Sequence, residues 1–160
     1  MRTNIMLCFL SDVKLVRETG AISGVDYQNI GEKKRCHTTN ESAVRYLLSG
    51  AHEPADRLSR LFLVRTNKVA GAIQGYNATH DWEQTHYDYF LHRISDIVPH
   101  AEQIAETIDF DENEPIEENT NVLIDVASHV RRYAKDVRKD RPDTEIILHV
   151  DVTGGPRNAS

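Results

Sequence analysis

The residues with the most chemistry to offer stand together in Asp151-Val-Thr-Gly-Gly-Pro-Arg157. Thr153 carries a hydroxyl, Gly154 and Gly155 let backbone amides approach a ligand closely, and Arg157 presents a planar fork that fits phosphate. This chemistry is anion binding, although Gly-Gly-Pro is equally the material of an ordinary turn. The histidines promise less. His80, His86 and His92 recur six residues apart, a rotation of roughly 240° per step on a helix, so they cannot share one face as zinc ligands do. His86 reads as a partly buried packing residue and His80 as a ligand-contact candidate. The acidic run Asp109–Glu118 sets Asp109, Asp111 and Asn113 at alternate positions, yet Glu114 stands where a calcium loop needs glycine and Thr120 where it needs a bidentate glutamate. No metal or cofactor is expected, and the run reads as a loop entering a helix whose first turn favours acidic residues.

Other chemistries are excluded by what the chain lacks. It contains no G-x-G-x-x-G, G-x-x-x-x-G-K-[ST] or G-x-S-x-G, which argues against a dinucleotide oxidoreductase, a P-loop enzyme and a serine hydrolase. Cys8 lies in an apolar run and Cys36 beside basic residues, with neither disulfide nor zinc spacing, so a reducing cytoplasm is expected. The 160 residues suit one domain. With 25 acidic against 19 basic residues the formal charge is −6; there is no broad basic field for DNA or long RNA. The apolar stretch Ile5–Leu10 is shorter than the roughly 7–15 residues of a signal-peptide core and the roughly 20 of a membrane span, and no membrane partner is expected.

The elements that must position these residues alternate along the chain. Ile5–Leu10, Leu58–Val64, Ile104–Phe110 and Glu145–Val150 read as strands. Thr38 and Glu41, three apart ahead of Val44, Leu47 and Leu48, form a capping-box pattern that predicts a helix over about 40–49. Val69–Gln74 is helix-compatible. Asp81 is expected to cap a helix carrying Trp82, Tyr89, Phe90, Ile94 and Ile97, ended by Pro99. Val122, Val126, Val130, Tyr133 and Val137, spaced 4, 4, 3 and 4, predict a long amphipathic helix over about 116–139, stopped by Pro142. Alternating apolar residues around Thr19-Gly20 suggest a β-hairpin insert near residues 13–30, within the polar segment Ser11–Gly31. Strands separated by long helices imply an α/β, Rossmann-like fold with a mainly parallel sheet flanked by helices. Ligands in such sheets sit beyond the carboxyl ends of the strands, which here means Ser11-Asp12, Arg65-Thr-Asn67, Phe110–Asn113 and Asp151–Arg157.

Phe9-Leu-Ser-Asp12, Thr39-Asn-Glu-Ser-Ala-Val-Arg-Tyr46 and Asp151-Val-Thr-Gly-Gly-Pro-Arg157, in this order, resemble CARF domains, the Rossmann-like sensors of type III CRISPR antiviral systems. The resemblance spans the chain as a pattern of elements, and its specificity rests on the Asp-x-Thr-Gly-Gly-x-Arg motif. It implies a homodimer that binds a cyclic oligoadenylate, the tetra- or hexa-adenylate, across its axis and regulates an attached effector allosterically. Carried over, Ser11 and Asp12 would line the first-strand loop, Thr39, Asn40 and Ser42 the helix mouth, and Thr153, Gly154, Gly155 and Arg157 the phosphate and ribose. Asn40, Asn67, Gln74 and Tyr76 are candidates for the adenine edges. Members of the family usually continue into an effector domain, so a sensor cut from a longer protein is expected. A ring nuclease using Ser11, Thr39 and Arg157, or a nucleotide-free interaction domain, are the alternatives.

Overall fold

A run as uniformly apolar as Ile5–Leu10 is stable only where both faces of its strand are covered, which fixes it at the middle of a parallel sheet. The structure, a computed structural model, describes residues 2–50, 57–76, 84–111 and 116–152, with the backbone alone at 116–120. In chain order its elements are β1 (Arg2–Phe9), β2 (Val25–Asp26), β3 (Arg35–Cys36), α1 (Thr39–Leu48), β4 (Leu58–Thr66), α2 (Asn67–Ala70), α3 (His86–Ile94), α4 (Ala101–Ile104), β5 (Ala105–Phe110), α5 (Ile116–Asp140) and β6 (Glu145–Asp151). Four strands form a parallel sheet in the order β5-β4-β1-β6, with β1 buried from Thr3 onward. The α/β, Rossmann-like reading of the sequence is therefore correct.

Alternation along β1 divides the core into two layers. Met6, Cys8 and Leu10 join Leu61 and Leu63 against Val44 of α1 and Phe90 and Ile94 of α3. Ile5, Leu7 and Phe9 join Phe62, Val64, Ile108 and Phe110 against α5, whose Val122, Val126, Val130 and Tyr133 supply the expected apolar stripe. Below the sheet the Thr3 and Thr144 hydroxyls share a 2.9 Å hydrogen bond. Along β6 and at the residue just after it, Leu148, Val150 and Val152 alternate and are all exposed.

Helix starts follow threonine caps more closely than apolar periodicity. Thr38 Oγ1 accepts from the Glu41 amide at 3.1 Å, as the capping pattern predicts, but the Glu41 carboxylate accepts from the amide of His37, one residue before the cap. The helix expected from Asp81 begins instead at His86, capped by Thr85. Ala72 and Thr85 form an antiparallel bridge, and Ile73 N–H donates to the Gln84 carbonyl at 2.7 Å, so the chain at 84–85 is extended. Asp81 and Trp82 lie outside the described residues. Helix over Val69–Gln74 is likewise corrected to the single turn Asn67–Ala70, since the same bridge draws the chain straight after Gly71. Ile104 ends α4 rather than opening β5.

The insert after β1 contains the expected hairpin and a second, unforeseen one. Leu15 bridges Ile22, with Val16 N–H donating to Ala21 at 2.7 Å and Gly20 at φ +70° in the turn. The chain then forms β2 and β3, paired antiparallel, with Asn29 and Gly31 at positive φ between them. Both hairpins stand beside the carboxyl end of β1. The winding runs outward from β1 through β4 to β5, then returns to β6 on the other side of β1. The reversal opens between the carboxyl ends of β1 and β6, the usual ligand position in open α/β sheets.

Candidate functional site

At that reversal one buried side chain holds three elements together. Asn40, in the first turn of α1, is fully buried. Its Oδ1 accepts from the Ser11 amide at 2.9 Å and the Ser11 hydroxyl at 3.2 Å, while Nδ2 donates to the Phe9 carbonyl at 3.0 Å and to Asp151 Oδ2 at 2.8 Å. Both amide hydrogens and both lone pairs are thereby engaged. Ends of β1 and β6 and the start of α1 are thus fixed by a residue that has no capacity left for a ligand, so Asn40 supports the site from beneath. Asp151 is itself buried, and beside it burial, then the Asp151 charge, push the Cys8 thiol well up, leaving it an inert core residue.

A cleft of about 290 Å³ adjoins this junction, lined by Ser11, Asp12, Ser23, His37, Thr38 and Thr39 among others. Thr39 is exposed at the helix mouth, and Ser42 donates its hydroxyl to the Thr39 carbonyl at 2.7 Å. Glycine is required at Gly24, where a Cβ would come within 2.9 Å of both the His37 ring and the Arg35 side chain. A second cleft, of about 470 Å³, lies on the β4 side and is lined by Asn67, Lys68, Ile73, Gln74 and His86 together with Asp12 and Lys14, which belong to both clefts. Asn67 is exposed and donates to Asp111 Oδ1 at 3.3 Å. On the ridge between the clefts Asp12 Oδ2 meets the Lys14 and Lys68 ammonium groups, each at 2.9 Å. Burial alone would raise the Asp12 carboxyl, but Lys68 and Lys14 outweigh it and hold it below the usual range.

Two histidines brace these walls as neutral rings. The His86 Nδ1 accepts from the Val13 amide at 2.8 Å, tying the insert to α3; burial, opposed by Asp12, lowers its pKa. The packing role foreseen for His86 therefore carries a polar bond as well. His37 Nδ1 lies 2.7 Å from the Tyr89 hydroxyl, and burial followed by Arg93 lowers its pKa too. Behind His37 a charged cluster locks α1 to α3. Glu41 takes Arg45 Nε at 2.9 Å and Arg93 at 2.8 and 3.0 Å, and Arg45 continues to Asp96 through two bonds at 2.9 and 3.0 Å. Burial opposes ionisation of Glu41, yet Arg93, the His37 amide and Arg45 keep its carboxyl low.

Ser11, Asp12, Thr39, Asn40, Ser42 and Asp151 converge at the first cleft or directly beneath it, and Asn67 lies at the second. His80, Thr153, Gly154, Gly155 and Arg157 lie outside the described residues. Lys14, Lys68 and His37 escaped the sequence reading because their importance depends on loop placement; the capping box at Thr38 was the one local signal pointing toward His37. Among the described residues no cluster of three or more metal-ligating side chains occurs, and no helix is long and apolar enough to cross a membrane. No protein-family model, curated protein or solved structure matches the chain.

Proposed function

We propose that this chain is a nucleotide-sensing domain that binds a cyclic oligoadenylate as a homodimer and passes the binding event to an attached effector. The observation that carries this reading is the Asn40 junction: one buried amide joins the Ser11 loop, the α1 mouth and Asp151, from which the chain runs into the Thr153–Arg157 motif. Ligand groups are expected at this position of an open α/β sheet. Ser11, Asn40 and Asp151, one from each of the three CARF-like segments, meet there, which also favours the reading. A compact cyclic RNA needs a few hydroxyls, amides and cations rather than a basic surface, so a formal charge of −6 is compatible with it.

A ring lying across a two-fold axis touches both protomers, and its differential affinity for one relative orientation would bias the dimer. Calorimetry with cyclic tetra- and hexa-adenylate tests the proposal. One ring per two chains is expected, together with a rise in melting temperature because the ligand binds only the folded state. Absence of heat and of a thermal shift with both rings would refute it. Chromatography of the ring after prolonged incubation separates sensing, in which it is recovered intact, from cleavage.

A further inference from the structure

We propose that Lys14 and Lys68 form a phosphate seat on the ridge between the two clefts, that Asp12 occupies this seat in the free protein, and that the matching ligand is a phosphodiester joining two nucleosides. The inference rests on the nucleotide-binding reading and adds to it the part of the ligand held here. Both ammonium groups lie 2.9 Å from the same Asp12 oxygen, so two like charges from separate loops, the insert hairpin and the turn after β4, are brought side by side. An anion between its members favours such a pair. Asp12 is that anion in the free protein, and one of its carboxylate oxygens serves both ammonium groups.

The surroundings favour exchange of Asp12 for a phosphate. The lysine side chains are 71% and 61% exposed, so the ridge can be reached, whereas Asp12 is only 19% exposed. Among the described residues Asp12, Lys14 and Lys68 are the only aspartate, glutamate, lysine or arginine side chains lining either cleft, two cations to one anion, which suits a phosphodiester with its single negative charge. About 290 and 470 Å³ on either side suit one nucleoside each, near the low end of ligand-cleft volumes of roughly 300–1,000 Å³. Both clefts offer polar groups for a base or ribose, Ser23 and Thr38 in one, Asn67 and Gln74 in the other. A nucleoside in each cleft would carry the joining phosphate over the ridge, where the lysines turn from Asp12 to its oxygens.

The test is calorimetry with the dinucleoside monophosphate ApA, cyclic tetra-adenylate and cyclic hexa-adenylate, on the unaltered chain and on Lys14→Ala, Lys68→Ala and Asp12→Asn. Each lysine variant is expected to weaken binding about tenfold, the low end for a hydrogen bond to a charged group, and the loss shrinks as salt rises. Asp12→Asn is expected to tighten binding severalfold by freeing both ammonium groups. Circular dichroism melts of the two lysine variants should match the parent's, because both lysines are exposed. Rings that bind with affinities unmoved by either lysine change would overturn the seat and leave the sensing reading intact. ApA binding that depends on both lysines without ring binding would support the seat and refute cyclic ligands. Weaker binding in Asp12→Asn would show that Asp12 itself contacts the ligand and overturn its role as occupant. No binding of any probe would overturn both proposals.

Discussion

Replacing Asn40 by alanine tests the junction on which the site stands. The side chain has no exposed surface and makes four hydrogen bonds, to the Ser11 amide and hydroxyl, the Phe9 carbonyl and Asp151. Truncation strips a partner from two backbone groups and a buried carboxylate. Each buried polar group left without its bond costs about 1–3 kcal/mol, with charged groups at the upper end. The Ser11 hydroxyl is half-buried and can turn to solvent. Summed over the other three, and allowing for water entering the gap, the loss is about 3–5 kcal/mol, a large part of the roughly 5–15 kcal/mol that holds a domain folded. Urea denaturation followed by circular dichroism measures it as a lower midpoint at unchanged slope. Asn40→Asp distinguishes a bonding role from a packing one: it keeps the shape but sets a carboxylate against Asp151 where an amide hydrogen stood. Its deficit at pH 7 should equal or exceed that of alanine and narrow on acidification, when one of two adjacent carboxyl groups takes a proton. An alanine variant within about 0.5 kcal/mol of the parent, the range of ordinary surface changes, would refute the reasoning.

Three further perturbations address the walls around this junction. His86 must be neutral to accept from Val13, and its pKa is lowered in the folded state, so its contribution is fully present above the unfolded value of about 6.5 and is lost as pH falls below it; urea midpoints at pH 7.5 and 5.5 should converge between the parent and His86→Gln, and parallel behaviour would contradict this. Gly24→Val places carbon within 2.9 Å of the His37 ring and the Arg35 side chain, so cyclic oligoadenylate affinity should fall at least tenfold while the four-stranded sheet, none of whose residues meets the added carbon, keeps its circular dichroism spectrum. Val150→Asp charges an exposed apolar row on β6 without disturbing the core; if this row joins the two copies, analytical ultracentrifugation should show monomer where the parent sediments as dimer, and an unchanged dimer would place the contact elsewhere.

How far the sequence carried this picture depended on whether a signal was local. The strands at Ile5–Leu10 and Leu58–Val64 were legible because a both-sides-buried strand must be apolar at every position, and α5 because Val122 to Val137 keep helical spacing for about four turns. The start of α3 was not, since Asp81 is as good a cap as Thr85 by composition, and the choice is made by a bridge between Ala72 and Thr85, thirteen residues apart. The second hairpin was equally hidden: β2 and β3 are two residues each and only marginal alone. They persist beside the Arg93 bond to the Arg35 carbonyl at 2.8 Å, a contact that exists only once α3 has packed.

The same distinction explains how the site could be half read. Ser11, Asn40 and Asp151 stood out as polar residues at strand ends and a helix start, positions that any parallel sheet brings together. Their roles were not legible, because a carboxamide offers the same four bonds to a ligand or to its own fold. Burial decides the matter: Asn40 has none of its surface in water and spends every bond internally. Lys14 and Lys68 carry the opposite lesson. Nothing in Lys14, 54 residues before Lys68, marks them as a pair; they become one when the insert folds over the end of β4 and both reach Asp12. Charges within the roughly 8 Å screening length at physiological salt govern what approaches this ridge. Net charge therefore says little about any one ridge: a chain with a formal charge of −6 still sets two ammonium groups side by side where its loops meet.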